Sequence, residues 1–262
     1  GHPLSESALY PRLRMEGIKR PRAHGGSGTA DQGAWEENRV IHTIRAEQYQ
    51  DSADCRALTY QGKEGFLSCS FRLEAGHLYG VASDFGCGSW GLVTCLGGRG
   101  EPEYRGKFWI NERPAAPRRL ADHAGFVTEH LFPGVNTEQD PLTPRECIQR
   151  AVKLGNCTYS PEEIRAAFRL SEARFDRVLT QVSGEIWLIS MAVHFALGKD
   201  LFCFPWLNEW DITRLEAAAE GGVIDFLRSS GKIILVPSSQ RRKLRRYCDR
   251  VLAFEKGRVT FR

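Results

Sequence analysis

Hydrophobic residues fall along the chain in two kinds of segment, and together these are typical of an α/β protein. Short alternating or continuous apolar runs predict strands over residues 40–46, 57–60, 66–73, 201–204 and 233–236. A longer segment, residues 185–197, is apolar nearly all round and predicts a buried helix that ends at Gly198. Because strands alternate with helices, we expect a largely parallel sheet.

The middle of the chain has a helical pattern and predicts a subdomain inserted between strands. Thr143 with Glu146, and Ser160 with Glu163, match the capping box that opens a helix, and each pair encloses a proline at the first helical position. Further on, Asp211 is expected to cap a helix over residues 212–220.

Domain boundaries follow from a change in composition near the N-terminus. Residues 1–36 are rich in Gly, Arg, Pro and Ser, and they predict a flexible basic extension. The folded domain is expected over residues 37–262, with its helical subdomain over about residues 129–198.

Composition and charge indicate the cellular compartment in which we expect the protein. The chain has 262 residues, of which 42% are hydrophobic, and a net charge of +4 that does not favour nucleic acid as a partner. No segment approaches the roughly 20 continuous apolar residues of a membrane span. Eight scattered cysteines without a CxxC pair are typical of buried thiols in a reducing compartment. We therefore expect a cytoplasmic protein that reaches a membrane only through a partner.

One stretch, residues 80–98, predicts a strand, a tight glycine loop and a helix that stops at paired glycines. This is the architecture of a phosphate-binding loop, which also needs a Lys for the phosphates and a hydroxyl for Mg²⁺. Ser89, Trp90 and Gly91 stand where the Lys and two successive hydroxyl residues would be. The sequence therefore keeps the strand, loop and helix of a phosphate-binding loop but lacks the side chains that bind phosphate and Mg²⁺. Four residues could still contact a weakly bound nucleotide: Gly86, Gly88, Ser89 and Gly91.

The order of these segments resembles the ATP-binding domain of ABC transporters, from about residue 39 to the end. The resemblance depends on five stretches, residues 69–80, 125–134, 175–185, 233–240 and 247–259. It implies a P-loop NTPase-like α/β fold with a mostly parallel sheet, an antiparallel β subdomain and an inserted α-helical subdomain.

Within that resemblance, the phosphate and metal positions are replaced. Ser89 stands at the Walker A Lys, Trp90 at the Mg²⁺-binding hydroxyl, and Glu129 at the Gln of the Q-loop. Pro205 and Trp206 fall where the Walker B Asp and the catalytic Glu belong.

The signature and switch positions are also changed. The signature-like segment keeps Ser183 and Gly184 but has Glu185 in place of the second Gly, and Gln240 replaces the switch His. With all of these groups lost, little remains of the charge stabilisation that phosphoryl transfer requires. We therefore expect no catalytic residue and no metal site.

Two aromatic positions stay open. Tyr60, or alternatively Tyr49, could stack on adenine, and a half-buried strand tyrosine is an equally good interpretation of Tyr60. The aromatic residues of segment 204–210 could fill the empty nucleotide pocket or form an apolar interface with a partner.

The resemblance implies a pseudo-ATPase that is a structural or regulatory subunit of an ABC transporter. It would pair with an active ABC-type ATPase and dock on a membrane permease through its helical subdomain, with no cofactor beyond weakly bound ATP or ADP. A divergent but active ABC ATPase is one alternative. Another is a module for anions or nucleic acid that uses the five cations of residues 241–246.

Overall fold

The fold is given by a computed structural model that describes residues 40–54, 62–127, 141–255 and 258–261. The predicted N-terminal extension and the predicted strand over residues 57–60 lie outside the described residues.

A mixed sheet forms the centre of the described chain. Its strand order is β12-β11-β5-β10-β9-β8. The five strands from β11 to β8 run parallel to their neighbours, and β12 pairs antiparallel to β11 at one edge. The strands are β5 (Leu78–Ala82), β8 (Ala124–Phe126), β9 (Leu201–Cys203), β10 (Ile233–Ser238), β11 (Arg250–Glu255) and β12 (Arg258–Phe261). Strands β5, β9 and β10 are buried throughout, as expected for strands covered on both faces.

Antiparallel strands form a second layer. One sheet has the order β4-β1-β6-β7, and a separate two-stranded sheet pairs β2 with β3. These strands are β1 (Thr43–Gln50), β2 (Ser52–Asp54), β3 (Lys63–Gly65), β4 (Cys69–Glu74), β6 (Arg105–Ile110) and β7 (Arg113–Pro114). Strand β4 alternates buried and exposed residues, which gives the sheet one face toward the core.

Helices follow one another in the described part of the middle of the chain. Helices α2 (Pro144–Gly155) and α3 (Pro161–Ala167) each begin with a complete capping box, formed by Thr143 with Glu146 and by Ser160 with Glu163. A short helix α4 (Glu172–Phe175) leads by way of 3₁₀ turns to α5 (Ile186–Ala196), most of which is buried. The predicted caps and the buried helix are confirmed.

One cap was predicted at the wrong residue. Helix α6 (Glu209–Glu220) begins three residues earlier than expected, because the side chain of Asn208 accepts hydrogen bonds from the backbone N–H groups of Trp210 and Asp211 at 2.8 and 2.9 Å. Asp211 therefore lies in the first turn, where its charge still favours the helix. Within the described residues, helices α7 (Val223–Ser229) and α8 (Arg241–Tyr247) follow it.

The core joins the central sheet to the helical block. Phe168, Phe202, Phe204 and Leu244 are among its fully buried members. None of the seven cysteines in the described ranges forms a disulfide. Among the helices of those ranges, none has the length and apolar character that a membrane span requires.

Candidate functional site

The glycine loop, residues 83–88, leaves the end of β5 and enters helix α1 (Ser89–Thr94), which continues as a π-helical segment Cys95–Arg99. Gly86 and Gly88 have positive φ angles of 77° and 106°, a conformation that favours glycine. Gly88 is the residue that precedes the first turn of α1. The predicted order of strand, loop and helix is confirmed.

Two serines join the two ends of the loop. The hydroxyl oxygens of Ser83 and Ser89 are 2.6 Å apart, and the backbone N–H of Ser89 donates to Ser83 Oγ at 3.3 Å. Ser89 is fully buried, and Trp90 beside it is 3% exposed. The two residues at the Walker A Lys and hydroxyl positions therefore point into the protein.

A carboxylate from the neighbouring sheet binds the loop. Glu64, the central residue of β3, accepts a hydrogen bond from the backbone N–H of Gly88 at 2.5 Å, and its side chain is buried. The close approach continues at Gly91, where a Cβ would stand 2.6 Å from the backbone oxygen of Glu64. A protein carboxyl group thus lies where such loops direct their N–H groups at phosphate.

Aromatic side chains cover the same loop. A Cβ placed on Gly88 would lie 3.1 Å from Cβ of Phe66 and 3.3 Å from the ring of Phe254. The rings of Phe66 and Phe254 meet edge to face at 6.3 Å. On the other side, Phe85 packs edge-on against Trp206 at 5.0 Å.

These contacts decide whether the loop fits the MgATP that the resemblance implies. A phosphate would meet the Glu64 carboxylate at Gly88, and Ser89 offers a buried hydroxyl in place of a cation. In the described ranges, no three His, Cys, Asp or Glu side chains cluster as metal ligands. The arrangement does not fit a magnesium nucleotide at this loop, and we derive no reaction step through one.

The aromatic residues after β9 differ in exposure, and the two predicted alternatives were that they fill the nucleotide pocket or form an interface with a partner. Phe204 is fully buried and packs against Trp187, while the half-buried Trp206 leans on the loop through Phe85. Trp210, in contrast, is 85% exposed. Pro205 and Trp206, at the Walker B positions, offer no carboxylate to this site.

At the end of β10, Ser238 joins the neighbouring strands to the loop. Its backbone oxygen accepts from Ser83 N at 3.2 Å, and its hydroxyl donates to the carbonyl oxygen of Leu207 at 2.7 Å. Gln240, at the switch position, is half-buried and precedes helix α8. The structure thus brings the residues that the resemblance assigns to the Walker A, Walker B and switch positions to one edge of the sheet.

The signature-like segment forms a separate place. Ser183, Gly184 and Glu185 make one 3₁₀ turn before α5, and Gly184 is exposed. The carboxylate of Glu185 accepts hydrogen bonds from Ser171 N and Arg174 Nη1, each at 3.1 Å. Its charge is thereby neutralised within the chain.

Two candidate residues cannot be placed. Tyr60 and Glu129 lie outside the described residues. The alternative adenine contact, Tyr49, is fully buried and donates its hydroxyl to Asp51 at 2.8 Å. Burial raises the pKa of the Tyr49 phenol far above its ordinary value. Tyr49 is therefore a core residue of the antiparallel sheet.

Glu64 was not predicted from the sequence. It lies 24 residues before Gly88, in a three-residue strand whose pattern indicates no chemistry. An acidic residue in a short strand is an ordinary surface feature, so only the packing of β3 on the loop identifies it.

Solved structures with a similar fold include parts of ABC transporters. An ATP-binding subunit of an ABC transporter has a TM-score of 0.55 and 19% identity, over 82% of this chain and 87% of that one. A nucleotide-free ATP-binding cassette from an ABC transporter has a TM-score of 0.59 and 11% identity, over 84% and 90%.

A third solved structure is CbiO1 from Clostridium perfringens, part of the ABC transporter complex CbiONQ. Its TM-score is 0.57 with 13% identity, over 84% of this chain and 87% of that one. No protein-family model matches the chain, and a search of curated proteins finds no match. The chain has the α/β fold of ABC transporter ATP-binding subunits, and the predicted fold class is confirmed.

Proposed function

We propose that this chain belongs to the ABC transporter ATP-binding subunits as a degenerate member and acts as a structural or regulatory component. In this proposal it does not hydrolyse ATP. The observation that carries the proposal is the hydrogen bond from Gly88 N to the Glu64 carboxylate, inside the loop that would hold phosphate. The fold supports the first half of the proposal, and this contact supports the second.

Phosphoryl transfer depends on positive charge and metal ions placed around the transferred group. At this edge of the sheet the chain presents Ser89, Trp90, Trp206 and Gln240 instead. Catalysis would have to come from a composite site, and the Glu185 side chain is already engaged by Arg174. We therefore propose no catalytic residue in this chain and no bound cofactor.

The proposed partners are a competent ABC-type ATPase subunit and a membrane permease, with this chain at the cytoplasmic surface of the membrane. CbiO1, a neighbour in fold, is itself part of a transporter complex. Two features support an interface. Trp210 is 85% exposed, and a cavity of about 170 Å³ beside Gly184 is lined by Ile186, Trp187 and Leu188. Exposed tryptophans are favoured anchors at protein interfaces.

The proposed folded domain covers residues 37–262, and its helical subdomain covers about residues 129–198. The helices from α2 to α5 support this part of the proposal. In this arrangement the permease contacts the subdomain, and the ATPase partner contacts the exposed surfaces at Gly184 and at Trp210.

Phosphate release by the purified chain tests the catalytic half of the proposal. We expect no magnesium-dependent hydrolysis above a blank, and Gly88→Val is the control because it alters the loop backbone directly. Hydrolysis that this variant abolishes would contradict the proposal and favour the divergent active ATPase. Hydrolysis that the variant leaves unchanged would come from a contaminant.

Co-purification from native membranes tests the partner half. The tagged chain should retain proteins that mass spectrometry identifies as an ABC-type ATPase or permease, and Trp210→Ala should retain less. The control is Phe85→Ala, which removes an exposed aromatic from the loop instead. Recovery of the chain without any transporter component would contradict this half.

A second candidate function, a module for anions or nucleic acid, is favoured by helix α8. Arg241, Arg242, Arg245 and Arg246 are exposed, and among the five cations only Lys243 has a carboxylate of the described residues within ion-pair distance, Glu216 at 3.6 Å. Binding to duplex DNA that falls steeply with salt would support the module. Absence of binding at low salt would remove it.

A further inference from the structure

We infer that Glu64 is a built-in anion of the glycine loop, which occupies the Gly88 N–H and keeps the loop closed to phosphate. The inference extends the proposed function, since it depends on the same loop. It assigns a role to the β2–β3 pair, which the resemblance does not predict.

The contact is close and enclosed. Glu64 Oε1 lies 2.5 Å from Gly88 N, and the Glu64 residue is only 3% exposed. A hydrogen bond to a carboxylate is stronger than one between neutral groups. A buried carboxylate is costly unless it is hydrogen-bonded, so this contact stabilises β3 in its place on the loop.

The backbone of β3 holds the carboxylate there. Its carbonyl at Glu64 packs on Gly91 so closely that a Cβ at position 91 would be 2.6 Å from the oxygen. Any side chain at position 91, including a hydroxyl residue, would push β3 away. The resemblance expects Ser or Thr at position 91. The close packing of the Glu64 backbone explains why this position is glycine.

Apolar contacts complete the closure. Phe66, two residues after Glu64, and Phe254 of β11 both stand against Gly88. A phosphate that approached Gly88 N would have to displace the Glu64 carboxylate, and the two aromatic side chains cover the adjacent Cα of Gly88. Because Glu64 belongs to the same chain, its effective concentration at the loop is high, and a free anion competes poorly.

Anion binding measured on Glu64 variants tests the inference. Inorganic pyrophosphate, with and without Mg²⁺, is titrated into the full chain and its Glu64→Gln and Glu64→Ala variants, and the melting temperature is followed. We expect no shift for the wild type. We expect pyrophosphate to raise the melting temperature of both variants. Their Kd for pyrophosphate should be at least about tenfold lower than that of the wild type, because the hydrogen bond from Gly88 N to the Glu64 carboxylate and the repulsion between like charges are both removed.

Glu101→Gln is the matched control. Glu101 is an acidic neighbour that pairs with Lys63, the residue before Glu64, without contacting the loop. This variant should behave as the wild type does. Equal binding by the wild type and the Glu64 variants would overturn the inference, and so would the absence of binding by all of them.

A ligand-independent measurement guards against a variant that folds poorly. In the wild type, the amide proton of Gly88 should resonate far downfield because it donates to a carboxylate. Glu64→Gln should move it upfield, and an unchanged shift would overturn the inference. Failure of the proposed function shows separately, since that would require ATP hydrolysis by the wild type, which these titrations do not measure.

Discussion

The hydroxyl oxygens of Ser83 and Ser89 lie 2.6 Å apart, and this contact joins the start of the glycine loop to the first residue of α1. Loops of this kind usually surround a phosphate. Ser89 has no exposed surface. The position at which the resemblance expects a lysine therefore belongs to the packed interior, and the loop is stabilised by neutral hydroxyls.

Restoring the lysine should not restore hydrolysis. Ser89→Lys forces a long cationic side chain into a filled site, so we expect a loss of about 1–3 kcal/mol in the free energy of unfolding. Ser89→Ala, the control, loses only the hydroxyl contact and should cost about 1 kcal/mol. Urea unfolding and phosphate release check both. An active or fully stable Ser89→Lys chain would contradict this account of the loop.

Gly91 should be intolerant of any side chain. A Cβ there would stand 2.6 Å from the backbone oxygen of Glu64, and backbone cannot move aside as a flexible side chain can. We expect Gly91→Ala to destabilise the protein by roughly 1–3 kcal/mol. At Gly184 no atom lies within 4 Å of the added Cβ, so Gly184→Ala should change stability by less than about 0.5 kcal/mol. Similar losses for the two variants in urea unfolding would refute the steric argument.

Local patterns predicted those parts of the fold that are determined locally. The capping boxes at Thr143 and Ser160 are complete, because a hydroxyl and a glutamate three residues apart determine that geometry by themselves. The cap of α6 was predicted at Asp211 because several polar residues compete there, and the structure uses Asn208.

The candidate site was predictable only in its frame. Gly86 and Gly88 predict the loop, because such a loop needs positive φ angles, which favour glycine. Glu64 reaches the loop through tertiary packing of a short strand, which no periodicity in the sequence encodes. The roles assigned to Ser183, Gly184 and Gln240 stay predictions, since they concern a partner or a ligand.

Asp200 should be among the most sensitive polar residues. Its carboxylate, 3% exposed, accepts from Lys232 at 3.1 Å, from His123 at 3.0 Å and from the backbone of Ile41 at 3.2 Å. Burial alone would raise the pKa of Asp200, but the hydrogen bonds from His123 and Lys232 and the charge of Lys232 outweigh it and hold that pKa below its usual value. The carboxylate is therefore charged, and it ties Ile41, which precedes β1, to the central sheet.

Asp200→Asn should leave Lys232 largely buried without its counter-charge. Breaking a buried pair in this way costs about 3–5 kcal/mol, which denaturant unfolding would detect readily. Asp225→Asn is the control, because Asp225 pairs with Arg228 at a side chain that is 72% exposed. That exposed pair should contribute no more than about 1 kcal/mol. Comparable effects of the two substitutions would contradict the role given to Asp200.

His194 should make the protein less stable in weak acid. It is buried in α5, and its Nε2 lies 3.1 Å from the carbonyl oxygen of Phe126. Burial lowers the pKa of His194 to about 4, against the opposing hydrogen bond and with help from the charges of Lys199 and Arg99.

The pH window follows from that shift. The unfolded chain protonates His194 near pH 6.5 and the folded chain near pH 4. Between these values the unfolded state binds more protons, so stability is full above pH 6.5 and falls as the pH drops toward 4, by roughly 3 kcal/mol at most.

Urea unfolding across this range checks the sign. His194→Gln keeps a donor for Phe126 and cannot titrate, so its stability should vary less with pH between 6.5 and 4 than that of the wild type. His42→Gln removes an exposed histidine and should keep the wild-type dependence. If His194→Gln left the pH dependence of the free energy of unfolding unchanged, the folded protein would accommodate a protonated His194 without loss of stability. That result would contradict the conclusion that His194 is buried in its neutral form.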